Sequence, residues 1–150
     1  MTRIDFYILS SSEIQARFAF ACKLATKAVG LGHNVYIHCD NEADAVAVKH
    51  LLDSSNTRRF LPNVIIEAKP ETSTTANKPP PIQIAYGDCK SHHHDILINA
   101  SSFKPNFFAT FDRLSEVVIQ ADTILKATRD SYRFYQSRNY PLHRHDLRSA

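Results

Sequence analysis

Short apolar runs recur along the chain, separated by longer segments in which apolar residues return every three or four positions. The first run, IDFYILS at 4–10, is rich in β-branched and aromatic residues and predicts a buried strand. Similar runs predict five more strands, at 34–39, 64–68, 82–86, 95–99 and 115–120. Because these runs are apolar on both faces, they are typical of parallel strands covered on both sides of a sheet.

Three of the intervening segments have the periodicity of amphipathic helices, and they are predicted at about 13–30, 41–52 and 122–139. The inward face of the second is expected to carry Ala43, Val46 or Ala47, and His50 or Leu51. Asp40 or Asn41 is expected to cap this helix, and Asp122 to cap the last one. A shorter helix is predicted at 102–114, where Pro105 falls in the first turn.

Strands that alternate with helices predict an α/β fold in which helices flank both faces of a mainly parallel central sheet. A length of 150 residues suits one such three-layer domain, spanning 1–150. Two segments do not fit the pattern. Residues 69–81 are rich in proline and threonine without apolar periodicity, which predicts an exposed, mobile loop. Residues 141–150 are interpreted as a polar C-terminal tail.

The composition favours a protein of the cytoplasm. No stretch approaches the roughly 20 apolar residues of a membrane helix, so no membrane association is expected, and the N-terminal residues lack the features of a signal peptide. Cys22, Cys39 and Cys89 form no CxxC pair, which favours free thiols in a reducing compartment.

The sequence KSHHHD at 90–95 raises the question of a metal site. Successive histidines on a strand point to opposite faces, so a metal site here would use His92 and His94, with Cys89 or Asp95 and further ligands from elsewhere. The alternative is a polar loop that leads into the buried strand at 95–99. We favour the loop, and expect neither a metal nor a cofactor.

A nucleotide pocket is the usual expectation for a Rossmann-like sheet, but its phosphate loop requires glycines after the first strand. Here the first strand is followed by SSSEIQ, and Gly30, Gly32 and Gly87 form no GxGxxG or GxxxxGK motif. A serine nucleophile among residues 10–12 would lack the GxSxG elbow. We therefore expect a Rossmann-like fold without a phosphate loop. A small nucleotide-binding or hydrolase-like enzyme remains an alternative.

The last predicted helix contains LKATRDSYRFYQSRNY at 125–140. Leu125, Thr128, Tyr132 and Tyr135 share one stripe, and Lys126, Arg129, Arg133 and Gln136 share the next. The basic stripe is either a solvated helix face or a surface that grips anions between aromatic walls. The formal net charge of +3 does not by itself predict nucleic-acid binding, although a direct single-stranded-DNA binder remains a second alternative.

Several motifs occur together in a specific order. They are an FYxL strand that leads into a helix, a second strand ending in Cys39, FLP at 60–62, the IAY and DILIN strands, and RxxYRxY in the last helix. In this combination the chain resembles the chi subunit family of bacterial DNA polymerase III along nearly its whole length. The resemblance implies an α/β domain without an active site of its own.

The family implies two protein partners and only indirect contact with nucleic acid. One surface binds the psi subunit, which tethers chi to the clamp loader. A distant surface binds the acidic C-terminal tail of the single-stranded-DNA-binding protein, which ends in a phenylalanine with a free carboxylate. The resemblance therefore implies a non-catalytic accessory subunit in DNA replication, and it implies no metal at the histidine run.

The resemblance also assigns residues to these two surfaces. Phe60, Leu61 and Pro62 match the loop implicated in psi binding. The residues that match the tail-binding surface are Val118, Arg129, Tyr132, Arg133 and Gln136. Two positions depart from the family pattern: Gln136 often corresponds to a basic residue in relatives, and Asp53 corresponds in some relatives to an aromatic near the psi contact.

Overall fold

Seven parallel strands form one open sheet in the computed structural model, which describes residues 1–55, 62–66, 80–87 and 93–148. The strands are β1 (Arg3–Ile8), β2 (Val35–Cys39), β3 (Asn63–Ile65), β4 (Ile82–Tyr86), β5 (Ile96–Asn99), β6 (Arg113–Val118) and β7 (Leu142–Asp146). Their order in the sheet is β3-β4-β2-β5-β6-β1-β7, and every neighbouring pair is parallel. The predicted parallel sheet is thus confirmed.

Helices cover both faces of this sheet. They are α1 (Ile14–Gly30), α2 (Glu42–Ser55) and α3 (Asp122–Ser137), with a short 3-10 helix at Phe108–Thr110. One core cluster joins α1 and α2 to one face of the sheet, and a second joins α3 and the 3-10 helix to the other. This three-layer arrangement confirms the predicted fold class. Within the described ranges, no helix combines the length and apolarity needed to cross a membrane.

The buried residues of α1 recur every three or four positions. Phe18, Ala21 and Ala25 lie against the sheet, fully or almost fully buried. Arg17 is buried with them, and its guanidinium donates hydrogen bonds to the carbonyl oxygens of Val117 and Asn99, at 2.8 and 3.3 Å. These bonds compensate for the cost of burying the charge, so a cation becomes part of the core.

The predicted inward face of α2 is wrong in part, because only Ala47 and Leu51 of its candidates pack against the core, and both are partly buried. Ala43, Val46 and His50 are exposed, whereas the buried positions are Ala45, Val48 and Leu52. Apolar residues are so dense in ADAVAVKHLL that two neighbouring faces are almost equally apolar, and packing against the sheet decides between them. The predicted cap is confirmed, since the side-chain oxygen of Asn41 accepts a hydrogen bond from the amide of Asp44 at 2.9 Å.

The helix predicted at 102–114 is also wrong. A single 3-10 turn forms at Phe108–Thr110, and Arg113 and Leu114 already belong to β6. Phe108 and Phe111 are buried beneath α3. The aromatic side chains of this segment pack into the core from an irregular stretch of chain. They do not form one face of a helix.

The interpretation of 141–150 as a polar tail needs correction, because β7 forms an edge strand that pairs with β1. The amide of Ile4 donates to the carbonyl of Pro141, and the amide of Leu147 donates to that of Ile8, both at 2.9 Å. His145 stacks on Tyr7 with ring centroids 4.5 Å apart. An edge strand exposed to water does not need the apolar run by which strands are recognised. Most of the loop predicted at 69–81 lies outside the described residues.

Candidate functional site

Helix α3 is held against the sheet by a few buried side chains. Ile124, Ser131 and Tyr135 are buried, while Leu125, Thr128 and Tyr132 on the predicted apolar stripe are partly buried. The residue at the N-cap is Ala121 rather than the predicted Asp122, which lies in the first turn. The helix ends before Asn139, whose φ of 61° is the left-handed conformation that commonly terminates helices.

A groove of about 390 Å³ lies between α3 and the strands β1, β6 and β7. Its lining residues are Phe6, Ile8, Val118, Gln120, Leu125, Thr128, Arg129, Tyr132, Arg133, Arg144 and Arg148, and we call it the α3 groove. The register of the sheet places Ile8 beside Val118 and Phe6 beside Arg144. The floor of the groove is therefore apolar, and arginines line its two walls, one formed by α3 and the other by β7 and the residues just after it.

Four of the five residues predicted for the tail-binding surface line this groove. Val118 lies in the floor and is 3% exposed. Tyr132 is half-buried, with its ring centroid 5.4 Å from that of Phe6. Arg129 and Arg133 lie one turn apart on α3 and are exposed. The fifth residue, Gln136, is exposed but does not line the groove.

Two further arginines line the groove, and neither of them is assigned to a binding surface by the sequence. Arg144 comes from β7 and Arg148 from the residues just after it, a segment that the sequence pattern assigns to a tail. The sequence does show a concentration of basic residues near the C-terminus. Because no strand is predicted there, the sequence does not indicate that Arg144 and Arg148 lie opposite α3. The parallel pairing of β7 with β1 brings Arg144 to the groove.

The electrostatics of the α3 groove favour an anion. Arg129, Arg133 and Arg144 form no ion pair within the part of the chain that the structure describes. Arg148 is different, because its guanidinium donates to both carboxylate oxygens of Asp146, at 2.9 and 2.7 Å. These bonds lower the pKa of Asp146 below its usual value. Three exposed cations are thus free to receive a ligand.

The position where enzymes of this fold class hold a ligand, outside the carboxyl ends of the central strands, contains a buried polar network. Asn99 donates to one carboxylate oxygen of Glu116 at 2.7 Å, and the Tyr135 hydroxyl donates to the other at 2.8 Å. Ser101 donates to Asn99 and lies 3.0 Å from a ring nitrogen of His38. These groups use their hydrogen bonds on one another, which favours a structural role.

One serine of the segment considered for a nucleophile, and the two described cysteines, also have structural roles. The Ser11 hydroxyl accepts a hydrogen bond from the amide of Glu13 at 3.0 Å, at the start of α1. Burial raises the pKa of both Cys22 and Cys39 to about 12, which suppresses the reactive thiolate. Cys89 lies outside the described residues.

The histidine run divides between described and undescribed residues. His93 is buried, and its Nε2 lies 2.7 Å from the carbonyl oxygen of Pro80. Asp95 accepts a hydrogen bond from the amide of Asn34 at 2.8 Å. His92 falls outside the described residues, and among the described ones no three His, Cys, Asp or Glu side chains form a metal-binding group. The segment leads directly into β5, as the loop interpretation expects.

Of the residues matched to the psi-binding loop, Phe60 and Leu61 lie outside the described part of the chain, and Pro62 is exposed immediately before β3. The next residue, Asn63, is anchored to α2. Its side-chain amide donates to Asp53 at 2.9 Å, and its side-chain oxygen accepts from Lys49 at 2.7 Å. Asp53, which departs from the family pattern, thus fixes the start of the β3 edge strand.

Comparison with known proteins identifies the family. Residues 1–143 match the family model described as DNA polymerase III chi subunit, HolC. The chain is 36% identical over 147 residues to the DNA polymerase III subunit chi of Pseudomonas aeruginosa, and the match covers 98% of each chain. It is 26% identical over 130 residues to the protein of the same name from Haemophilus influenzae, covering 86% of each. The chain therefore belongs to the DNA polymerase III chi subunit family and has its role in DNA replication.

Proposed function

We propose that the protein is a non-catalytic adaptor of the cytoplasmic replicase, which joins the clamp loader, through psi, to the acidic C-terminal tail of the single-stranded-DNA-binding protein. The observation that carries this proposal is the α3 groove, where three arginines that form no ion pair with a described residue surround an apolar floor. An acidic peptide that ends in a phenylalanine has both features that such a groove complements. Nucleic acid is then reached through its protein coat.

The terminal carboxylate of the tail fits the wall formed by α3. Arg129 and Arg133 are one helical turn apart, and guanidinium groups can hold a carboxylate through paired hydrogen bonds. The phenylalanine ring fits the floor between Val118 and Tyr132. Acidic residues upstream in the tail would face Arg144 on the opposite wall. The groove thus separates a position for the chain end from a position for the preceding acids.

The psi partner is proposed to bind at the other edge of the sheet. Phe60, Leu61 and Pro62 match the family's psi-binding loop, and Pro62 is exposed where the chain enters β3. The bonds from Asn63 to Asp53 and Lys49 hold this entry against α2. A loop with a fixed end loses less conformational freedom when it binds, which favours its use as an interface.

Titration with the C-terminal peptide of the host's single-stranded-DNA-binding protein tests the proposal. We expect Arg133→Ala to weaken binding several-fold or more, because charge-assisted hydrogen bonds are worth about 1.5–3 kcal/mol each and part of this is screened at an exposed face. Amidation of the terminal carboxylate of the peptide should weaken binding by a similar factor. Normal binding by both Arg129→Ala and Arg133→Ala would place the interaction elsewhere on the molecule.

Two controls separate the adaptor from its rivals. A direct single-stranded-DNA binder would bind naked oligonucleotides, with an affinity that falls steeply as salt is added, whereas the adaptor should bind them negligibly. A nucleotide-binding enzyme would show an increase in melting temperature with ATP. We expect no such increase, because the polar groups at the usual ligand position of this fold class are hydrogen-bonded to one another. Strong binding of either ligand by the purified chain contradicts the adaptor.

A further inference from the structure

A second groove, of about 380 Å³, lies on the opposite face of the sheet and is lined by residues of α1 and of the strands β1, β5, β6 and β7. We call it the α1 groove. Its lining residues are Tyr7, Phe20, Lys23, Leu24, Lys27, Ala28, Leu31, His33, Ile96, Ile98, Arg113, Ser115, His145 and Leu147. Side chains alternate across a strand, so Tyr7 enters this groove while its neighbours Phe6 and Ile8 line the α3 groove.

Large apolar side chains remain open to solvent at the rim of the α1 groove. Leu31 is 69% exposed and Leu147 is 37% exposed, and the two residues come from the end of α1 and from the chain after β7. Phe20 and Leu24, which also line the groove, are partly buried against the core. Exposed leucines that flank an apolar depression are typical of a surface that a partner covers.

The charges at the α1 groove are mainly positive. Lys23 and Lys27 lie one turn apart on α1, are exposed, and form no ion pair with any described residue. Arg113 is different, because it lies 3.6 Å from the buried carboxylate of Asp5, which also contacts His145 at 3.0 Å. The lysines therefore supply uncompensated charge, and the complementary ligand is an anion with an apolar part.

The chemistry of the floor distinguishes a peptide from a nucleic acid. Proteins that hold single strands stack the bases on exposed aromatic rings. In the α1 groove the ring of Tyr7 is already packed against those of Phe20 and His145, with centroids 5.4 and 4.5 Å apart. The rest of the apolar lining is largely aliphatic, which suits a leucine, methionine or phenylalanine side chain.

We infer that the α1 groove is a second protein-docking surface, which binds a short acidic segment of a partner protein with a large apolar side chain inserted between Leu24 and Leu147. Lys23 and Lys27 hold its carboxylates. The surface is distinct from the α3 groove, because the two lie on opposite faces of the sheet. A tail held at the α3 groove would leave it open.

A peptide-display selection tests this inference under conditions that prevent peptides from binding at the α3 groove. The target is the full chain carrying Arg129→Ala, Arg133→Ala and Arg144→Ala, so that peptides attracted by the arginines of the α3 groove are not recovered. We expect enriched peptides to combine two or more acidic residues with a large apolar residue. One synthetic peptide of this kind should perturb the methyl NMR signals of Leu24, Leu31 and Leu147.

Charge reversal then assigns the contact. Lys23→Glu with Lys27→Glu should weaken the selected peptide by at least about tenfold, while Lys126→Glu, an exposed control on α3, should leave its affinity unchanged. Melting curves verify that each variant is folded. The inference is overturned if no acidic peptide is enriched, if enriched peptides ignore the lysine reversal, or if a single-stranded oligonucleotide binds the groove instead. Because the target lacks these three arginines of the α3 groove, none of these outcomes bears on the tail-binding proposal.

Discussion

At the scale of single residues, Tyr135 joins α3 to the sheet through a carboxylate that has little access to water. Its hydroxyl donates to Glu116 at 2.8 Å, and both side chains are buried. The same tyrosine packs against Phe6 and Phe108. One side chain thus supplies both apolar contact and a hydrogen bond to the helix that forms a wall of the α3 groove.

Replacing Tyr135 by phenylalanine keeps the ring and removes the hydrogen bond. The Glu116 carboxylate would then lose a donor inside the core, which costs about 1–3 kcal/mol of unfolding free energy. Urea denaturation measures this loss. Tyr140→Phe is the matched control, because the Tyr140 hydroxyl has no hydrogen-bond partner among the described residues although its ring packs against Tyr135. Equal stability of the two variants would show that the Glu116 bond contributes nothing.

Glu116 itself predicts an unusual pH dependence. Burial raises its pKa, against the opposing effects of hydrogen bonds from Tyr135 and Asn99 and of the charge of Arg17. The folded protein therefore binds this proton more tightly than the unfolded chain does. The stabilisation is complete below the ordinary glutamate pKa of about 4.3, and it is lost as the pH rises through the raised pKa.

Glu116→Gln cannot ionise, so it should become more stable relative to the wild type as the pH rises from about 4 to 8. Denaturation midpoints at several pH values measure the difference, and Glu13→Gln serves as an exposed control. A difference between Glu116→Gln and wild type that is constant with pH would mean that Glu116 does not titrate differently in the folded state.

At the scale of elements, β7 shows where sequence patterns fail. Strands in the middle of the sheet, such as β2 and β5, are buried throughout and are recognisable as apolar runs. β7 is an edge strand with the sequence LHRHD, and most of its residues are exposed. Its position is fixed by backbone pairing with β1 and by contacts of His145, which depend on residues far away in the sequence.

The alternation of β7 supplies a test of the α3 groove. Arg144 lines the groove, whereas its neighbour His143 points to the other face of the sheet, and both are exposed. Arg144→Ala should weaken binding of the acidic tail peptide by several-fold, and His143→Ala should leave it unchanged. Fluorescence anisotropy with a labelled peptide measures both. If the two substitutions have equal effects, β7 does not form a wall of the binding site.

At the scale of the whole molecule, the sequence predicts the layers and much of the groove. Arg129 and Arg133 could be placed on one helix face from their spacing, and Val118 within the strand predicted at 115–120, while the family resemblance assigns all three to one binding surface. The positions of Arg144 and Arg148 could not be predicted from the sequence, because they depend on which edge of the sheet the last strand joins. Strand order is a property of the assembled core rather than of any local pattern.

The strand order also determines how the proposed psi-binding and tail-binding surfaces are placed relative to each other. Pro62 precedes β3 at one edge of the sheet, and the α3 groove lies between α3 and the strands β1, β6 and β7 at the other. The strands β6, β1 and β7 lie four to six spacings of about 4.8 Å from β3, which is roughly 19 to 29 Å. That distance exceeds the Debye length of about 8 Å at physiological ionic strength, so charge at one site has little effect on the other.

We therefore expect psi and the tail peptide to bind independently and together. Saturating psi should change the affinity for the tail by less than about twofold, which is under about 0.4 kcal/mol of coupling free energy. Calorimetric titration of the peptide into the free chain and into its complex with psi measures this. Phe60→Ala should weaken psi binding while tail affinity stays constant, and Arg133→Ala should do the reverse. A tail affinity that psi shifts by about tenfold or more would show that the sheet transmits a change between its edges, and the adaptor would then be a regulated link rather than a passive one.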